Sequence, residues 1–402
     1  MLFITLFKSG RKLWPAMVSL ARASLPSLFS MLWPLITIIF FGKRLWGECV
    51  DGWLYFQLTS LFISWGNRQY LLKKFDLMPR RMNESFSESF YSRSMLFGVF
   101  MIFAICSPFG WKFKLAASIY TIGRFINNSF DPVIEYKRKY FSAILAEVLG
   151  FIKGAALVYS VRGDISPSTI LLCLSLGELV KAILILLLVR DIRLRFSWSY
   201  FNFNYYIQSF PFFIYAFAVM VVYLVDRMYV YSRFAPEDKA FYQILMNMLI
   251  FILAVPGFLL VPFLKNYYRG KVLLTANIRF SIFIGGFTIL PVLIIISYLL
   301  ITYLYGFPLN WQYVVLSVFF CFPAFVYSPI FYYLVGKNQQ FVIATSCFVV
   351  SLFLLMLCPY LIDKYGLEGA LFTASLGQWG LMVSSLIIYF QERSAKKIRL
   401  IK

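Results

Sequence analysis

The chain contains no histidine in 402 residues. That removes the commonest general base, the usual zinc ligand and any imidazole proton relay. Acidic residues are scarce too: 17 Asp+Glu stand against 38 Lys+Arg, for a formal net charge of +21. The six cysteines (Cys49, Cys106, Cys173, Cys321, Cys347, Cys358) form no CxxC, and most lie inside apolar runs. A disulfide framework or metal site is therefore not expected, and neither is a cofactor. Charged residues make up only 14% of the chain, where a soluble domain carries about a quarter. The first apolar run is too long for a cleavable signal peptide and lacks a small-residue cleavage site.

Apolar residues are abundant: 61% of the chain is hydrophobic and the mean hydropathy is +0.77. A soluble fold cannot hide that much apolar surface, which excludes a soluble enzyme or nucleic-acid-binding protein. The runs are near-continuous and of helical length, without the alternating polarity of a transmembrane barrel. An all-α integral membrane protein is predicted. Its twelve spans fall near 15–41, 50–70, 91–110, 114–134, 140–161, 168–189, 206–231, 239–264, 276–304, 311–335, 339–362 and 368–391. Ser107-Pro108-Phe109-Gly110 divides spans 3 and 4. The longest polar insert is 71–90, too short for a soluble catalytic domain.

Lys and Arg distribute unevenly over the predicted loops: 25 fall on the side of the two termini and 9 on the opposite side. The positive-inside rule places both termini in the cytoplasm and the loops near 45, 164 and 235 outside.

The two halves of the chain echo each other. Tyr55-Phe56-Gln57-Leu58 matches Phe241-Tyr242-Gln243-Ile244 at an offset of 186, and Ser175-Leu176-Gly177-Glu178 matches Ser375-Leu376-Gly377-Gln378 at an offset of 200. Leu25-Pro26 against Phe210-Pro211, and Asp131-Pro132 against Ser328-Pro329, fall in the same order. The expected organisation is an N-terminal six-helix lobe (1–189), a basic, aromatic-rich cytoplasmic linker (190–205), and a C-terminal six-helix lobe with a basic tail (206–402). Six spans per lobe give parallel repeats about an axis along the membrane normal, an alternating-access design.

Three short motifs carry a resemblance: Phe41-Gly42 followed by Gly52-Trp53-Leu54-Tyr55, Asp226-Arg227 ending span 7, and Tyr365-Gly366-Leu367-Glu368-Gly369-Ala370 opening span 12. On these residues the chain resembles the flippases of the multidrug/oligosaccharidyl-lipid/polysaccharide (MOP) superfamily, most of all the O-antigen (Wzx-type) flippases. Cys49 and Asp51 crowd the first glycine turn, a departure from that pattern. The resemblance implies a bacterial cytoplasmic (inner) membrane protein whose cargo is an undecaprenyl-pyrophosphate-type lipid-linked oligosaccharide. It also implies membrane lipids and other polysaccharide-assembly proteins as partners, and no nucleic acid.

Intramembrane charge costs about 3 kcal/mol per residue at mid-helix, so each case asks for a reason. Arg124 sits mid-span, with Asn128, Asp131 and Glu135 on its helix face. It reads either as a cavity-lining cation or as half of an ion pair with Asp131 or Glu147. Arg22 shares a small, polar face with Ser19, Pro26, Ser27 and Ser30. Lys153 lies between Gly150 and Gly154, and Glu178 and Lys181 are i, i+3 neighbours. Gln57 begins a polar stripe through Ser60, Ser64, Asn67 and Arg68. The candidate cargo site is therefore Arg124, Arg22, Lys153, Asn128 and Gln57. Glu147, Glu178, Lys181 and Asp131 are coupling or ion-pair candidates, and Asp226 and Arg227 are gate candidates.

The second half has no mid-membrane Lys or Arg, so one electropositive wall is expected, suited to a phosphate or pyrophosphate. An organic-cation exporter of the same superfamily would instead use the carboxylates. A membrane-embedded polymerase or acyltransferase generally needs a large outside loop or a catalytic histidine, and this chain has neither.

Overall fold

The computed structural model describes residues 10–401 apart from 108, 162–164, 191, 193, 195, 261–280, 309 and 338. The expectations for the loop at 164 and for the basic stretch 265–279 lie outside the described residues. The described residues are helical, with no strand among them. They form α1 (Gly10–Phe41), α2 (Lys43–Ser64), α3 (Asn67–Leu77), α4 (Met82–Cys106), α5 (Trp111–Lys137), α6 (Tyr140–Ser160) and α7 (Pro167–Leu188). Then follow α8 (Phe203–Arg233), α9 (Pro236–Leu260), α10 (Leu290–Leu299), α11 (Trp311–Gly336) and α12 (Gln340–Ile401), with π-helical turns at Ser281–Ile289 and Leu300–Leu304 on either side of α10. Nine segments among the described residues are long and apolar enough to cross a membrane. The chain is a multi-pass membrane protein.

Chain contacts divide it into two compact units, Met1–Phe213 and Ile214–Lys402, with the boundary inside α8. In the first unit α5 packs against α2, α3, α4 and α7, and α7 packs against α6. The α6–α7 contact is backbone to backbone: a Cβ at Gly150 would lie 2.8 Å from the Gly177 carbonyl oxygen, and one at Gly177 2.8 Å from that of Gly150. Lipid tails offer no hydrophobic drive between helices, so such close approach supplies the packing. In the second unit α11 packs against α9, α10 and α12.

The elements correct several expected boundaries. Span 2 begins at Lys43 and stops at Ser64, because Trp65 (φ 44) and Gly66 (φ 65) adopt left-handed backbone. Gly66 is required there, since an added Cβ would lie 2.6 Å from the Phe213 backbone nitrogen. The chain then re-enters a helix, α3, which buries Tyr70, Leu71 and Phe75. The stretch 71–90, expected as a polar insert, is thus largely helical. Its apolar residues recur at helical spacing and find a core of Phe86, Phe130, Val133 and Ile185. The split at 107–110 falls where expected, between Cys106 and Trp111. Expected spans 11 and 12 run together as α12, kinked at Gly366 (φ 60, ψ −136).

Candidate functional site

The first unit gathers most of its expected site residues into a chain of ion pairs. Arg124 lies at the middle of α5, about 20 Å along the axis from either end. Its Nε donates to the Tyr120 hydroxyl at 2.9 Å, and its Nη1 stands 3.7 Å from Glu178 on α7. Lys181, one turn further along α7, is 3.9 Å from Glu178 and 2.6 Å from Glu147 on α6. Asn127 donates to Glu178 at 2.9 Å. Two turns below Arg124, Asp131 accepts from Arg22 of α1 at 2.6 Å. At the end of α5, Glu135 accepts from Arg68 of α3 at 2.8 and 3.0 Å.

Four cations therefore face four carboxylates. Burying one charge alone costs far more than burying a hydrogen-bonded pair, so the balance is the state in which these helices can pack. Lengths rank the pairs. Charge-assisted N–H···O bonds run about 2.7–2.9 Å. Lys181–Glu147 and Arg22–Asp131 are closed at 2.6 Å, whereas Arg124–Glu178 at 3.7 Å is not. The Arg124 side chain keeps 28% of its surface exposed.

Other expected residues fall elsewhere. Asn128 turns to α2, donating to the Ser60 carbonyl and hydroxyl at 3.3 Å each. Gln57 is half-buried on α2, but the Trp65-Gly66 break separates it from Asn67 and Arg68, so the expected five-residue stripe is not one helix face. Lys153 is exposed on α6 and belongs to no ion pair found among the described residues. Six residues separate it from Glu147, which puts it on another side of the helix. Asp226 and Arg227 do not end a helix. Both are buried, seven and six residues inside α8, and Tyr242 of α9 donates to Asp226 at 2.5 Å.

Arg93 is one of the 25 Lys and Arg that the positive-inside census assigns to the side of the termini. It is instead fully buried in α4, donating to the Ile63 carbonyl at 3.2 Å and to the Ser129 and Ser89 hydroxyls at 2.7 and 3.4 Å, above the Phe125 ring. The buried serines at 85, 89 and 92, on its own flank of the helix, were the available signal of a protein-facing side. On α3, Lys74 donates to Glu88 at 2.7 Å and to Tyr70 at 3.0 Å. Burial lowers the affinity of this amine for its proton, but the two hydrogen bonds outweigh it and hold the Lys74 ammonium above its ordinary range.

The second unit repeats one detail with neutral groups. At an offset of 200 from Asn127–Glu178, the Tyr327 hydroxyl donates to Gln378 at 2.7 Å, and Tyr223 stands 3.2 Å from Tyr327. Positions 200 residues apart are thus bonded in each unit, one pair through a carboxylate and the other through neutral groups alone.

The fold is similar to that of several solved membrane proteins. The chain is similar to an inward-facing multidrug resistance MATE family transporter of the MOP superfamily, at TM-score 0.62 and 12% identity, over 94% of this chain and 98% of that one. It is also similar to the lipid II flippase MurJ in an inward closed conformation, at TM-score 0.52 and 14% identity, over 94% of this chain and 86% of that one. An outward-facing MATE transporter aligns at TM-score 0.55 and 14% identity, over 95% and 97% of the two chains. No protein-family profile and no curated protein sequence matches the chain. At these identities the likeness concerns the fold.

Proposed function

We propose that the protein is a flippase that carries an isoprenoid-pyrophosphate-linked oligosaccharide, such as an O-antigen or capsule repeat unit, across the bacterial cytoplasmic membrane by alternating access. Arg124 carries the reading. It is mid-membrane, partly exposed, and only loosely held by its carboxylate. A phosphate oxygen brought within 3 Å would meet a planar, permanently charged donor fork and would outcompete a partner at 3.7 Å. The sugars would meet hydroxyl and aromatic groups, and the isoprenoid tail would stay in lipid. Twelve crossings belong to the same proposal: the nine apolar segments, of which Gln340–Glu392 in α12 counts as two across its kink, and the more polar α2 and α5, with both termini cytoplasmic.

The test is complementation of a flippase-deficient strain, with immunoblots for abundance. Arg124→Ala should abolish polysaccharide export at normal protein level, and Arg124→Lys should retain part of it. Normal export by an abundant Arg124→Ala protein refutes the reading.

A second reading has its own observation. Four carboxylates, Asp131, Glu135, Glu147 and Glu178, line the same helices and equal the cations in number. An organic-cation exporter would use them, and the MATE likeness of the fold suits it. It predicts that Glu178→Gln abolishes drug efflux and leaves polysaccharide export untouched.

A further inference from the structure

The segment between α7 and α8 has the wrong surface for an aqueous tether. Between α7 and α8 the chain displays Leu194 (40% exposed), Phe196 (62%) and Trp198 (78%), and α8 opens on Phe203 (74%). These residues are held together and held in place. Phe196 packs edge-on to Trp198 at 5.5 Å and to Tyr91 of α4 at 5.4 Å, and Trp198 meets Phe201 at 5.6 Å. A 3₁₀ turn at Trp198–Tyr200 sets the ring directions, with Ser197 accepting from the Ser199 amide.

The turn is pinned to α4. The Ser92 hydroxyl donates to the Tyr200 and Asn202 carbonyls at 3.0 and 3.2 Å and accepts from the Asn202 amide at 3.2 Å. Asn202 also donates to Glu88 at 3.3 Å, and Tyr206 donates to the Ser92 carbonyl. Phe196, Trp198 and Phe203, exposed on a stretch held this firmly, are a built surface.

Length sets its depth. α8 has 31 residues, about 46 Å of helix against a hydrocarbon core of about 30 Å. Its first turn, and the turn before it, thus reach the headgroup layer, where Trp and amphipathic rings partition. The charge sets the lipid: by sequence, residues 190–205 hold Arg190, Arg193 and Arg195 against a single Asp191. We infer that this segment is a membrane-surface anchor, with Phe196, Trp198 and Phe203 seated among the acyl chains just below the headgroups and the arginines selecting anionic phospholipid. The inference rests on the multi-pass reading and on no particular cargo.

The full-length protein and its Trp198→Phe variant, each reconstituted in liposomes, provide the test. Their difference emission isolates Trp198 from the other eight tryptophans. It should be blue-shifted, quenched more by lipid brominated near the headgroup than by lipid brominated deep in the tail, and resistant to iodide. Brominated phosphatidylglycerol should quench more than brominated phosphatidylcholine at equal mole fraction. In an Arg190→Gln/Arg193→Gln/Arg195→Gln variant that preference should fall about fivefold or more, since each basic group near an anionic surface is worth about that factor. Quenching by iodide but not by bromolipid would put the segment in water and overturn the anchor. Quenching by neither would mean a protein covers it, with the same consequence. Bromolipid quenching without the phosphatidylglycerol preference would overturn the anionic selection. None of these readouts requires transport, so they stand or fall separately from the flippase reading.

Discussion

Single residues in the first unit divide by how completely they are satisfied. Arg93 has a guanidinium held at three acceptors and no exposed surface, and its role is to hold α2, α4 and α5 together. Arg93→Ala leaves the Ser129 and Ser89 hydroxyls and the Ile63 carbonyl short of a donor. Each buried acceptor left without a donor costs about 1–3 kcal/mol, so immunoblots should show most of the protein lost from the membrane. Arg124→Ala should leave abundance near normal, because Glu178 keeps Asn127 and Lys181 as partners. Lys181→Met should lower abundance, since it strands Glu147 at a closed 2.6 Å pair, and the double variant with Glu147→Gln should recover most of it. Without that recovery, the pair as the reason for the loss is refuted.

At the scale of elements, the glycines mark where helices meet without side chains between them. Gly150→Val should collapse the α6–α7 contact and lower the detergent-extracted melting temperature by several degrees, because the added atoms meet backbone, which cannot move aside. Gly98→Ala on α4 is the control: nothing lies within 4 Å of the added Cβ, and the better helix former should be neutral or mildly stabilising. Most helices were legible from sequence because a run of apolar residues is a local property. The break at Trp65-Gly66 was not, because neither residue type alone demands a stop. It exists because α8 passes so close that only Gly66 fits, with Trp65 stacked on Phe213 at 3.9 Å. The helix α3 was missed for a related reason: its Lys and Arg residues read as loop, while Tyr70, Leu71 and Phe75 find their partners on α4, α5 and α8.

For the whole molecule, the Lys/Arg bias predicts a sided arrangement that labelling can check. In a background without reactive cysteines, a cysteine at Arg44 should react with a membrane-impermeant maleimide in intact cells, and one at Lys137 only after the membrane is opened. The reverse pattern would invert the topology. The repeat makes an independent prediction. In a cryo-EM map, superposing the second unit on the first should bring Tyr327–Gln378 onto Asn127–Glu178 within about one side-chain width. A mismatch of helices would dissolve the duplication that the offset of 200 suggests.

Residue order alone is enough for the all-helical membrane class, the division near 107–110, and the polar face of α5 that carries Arg124, Asn128, Asp131 and Glu135. Each follows from residues adjacent along one segment, through transfer into lipid or through the 3.6-residue period. The partners come from the packing of the helices. Arg124 faces Glu178 rather than Asp131 or Glu147, Asp131 meets Arg22 from 109 residues away, and Lys153 faces outward. Those outcomes depend on how far each helix is rotated and shifted against its neighbours, which the Gly150–Gly177 approach and the buried serines around Arg93 set. A charge in the sequence announces that it needs a partner, but the partner lies on another helix, and the packing of the helices determines which one it meets.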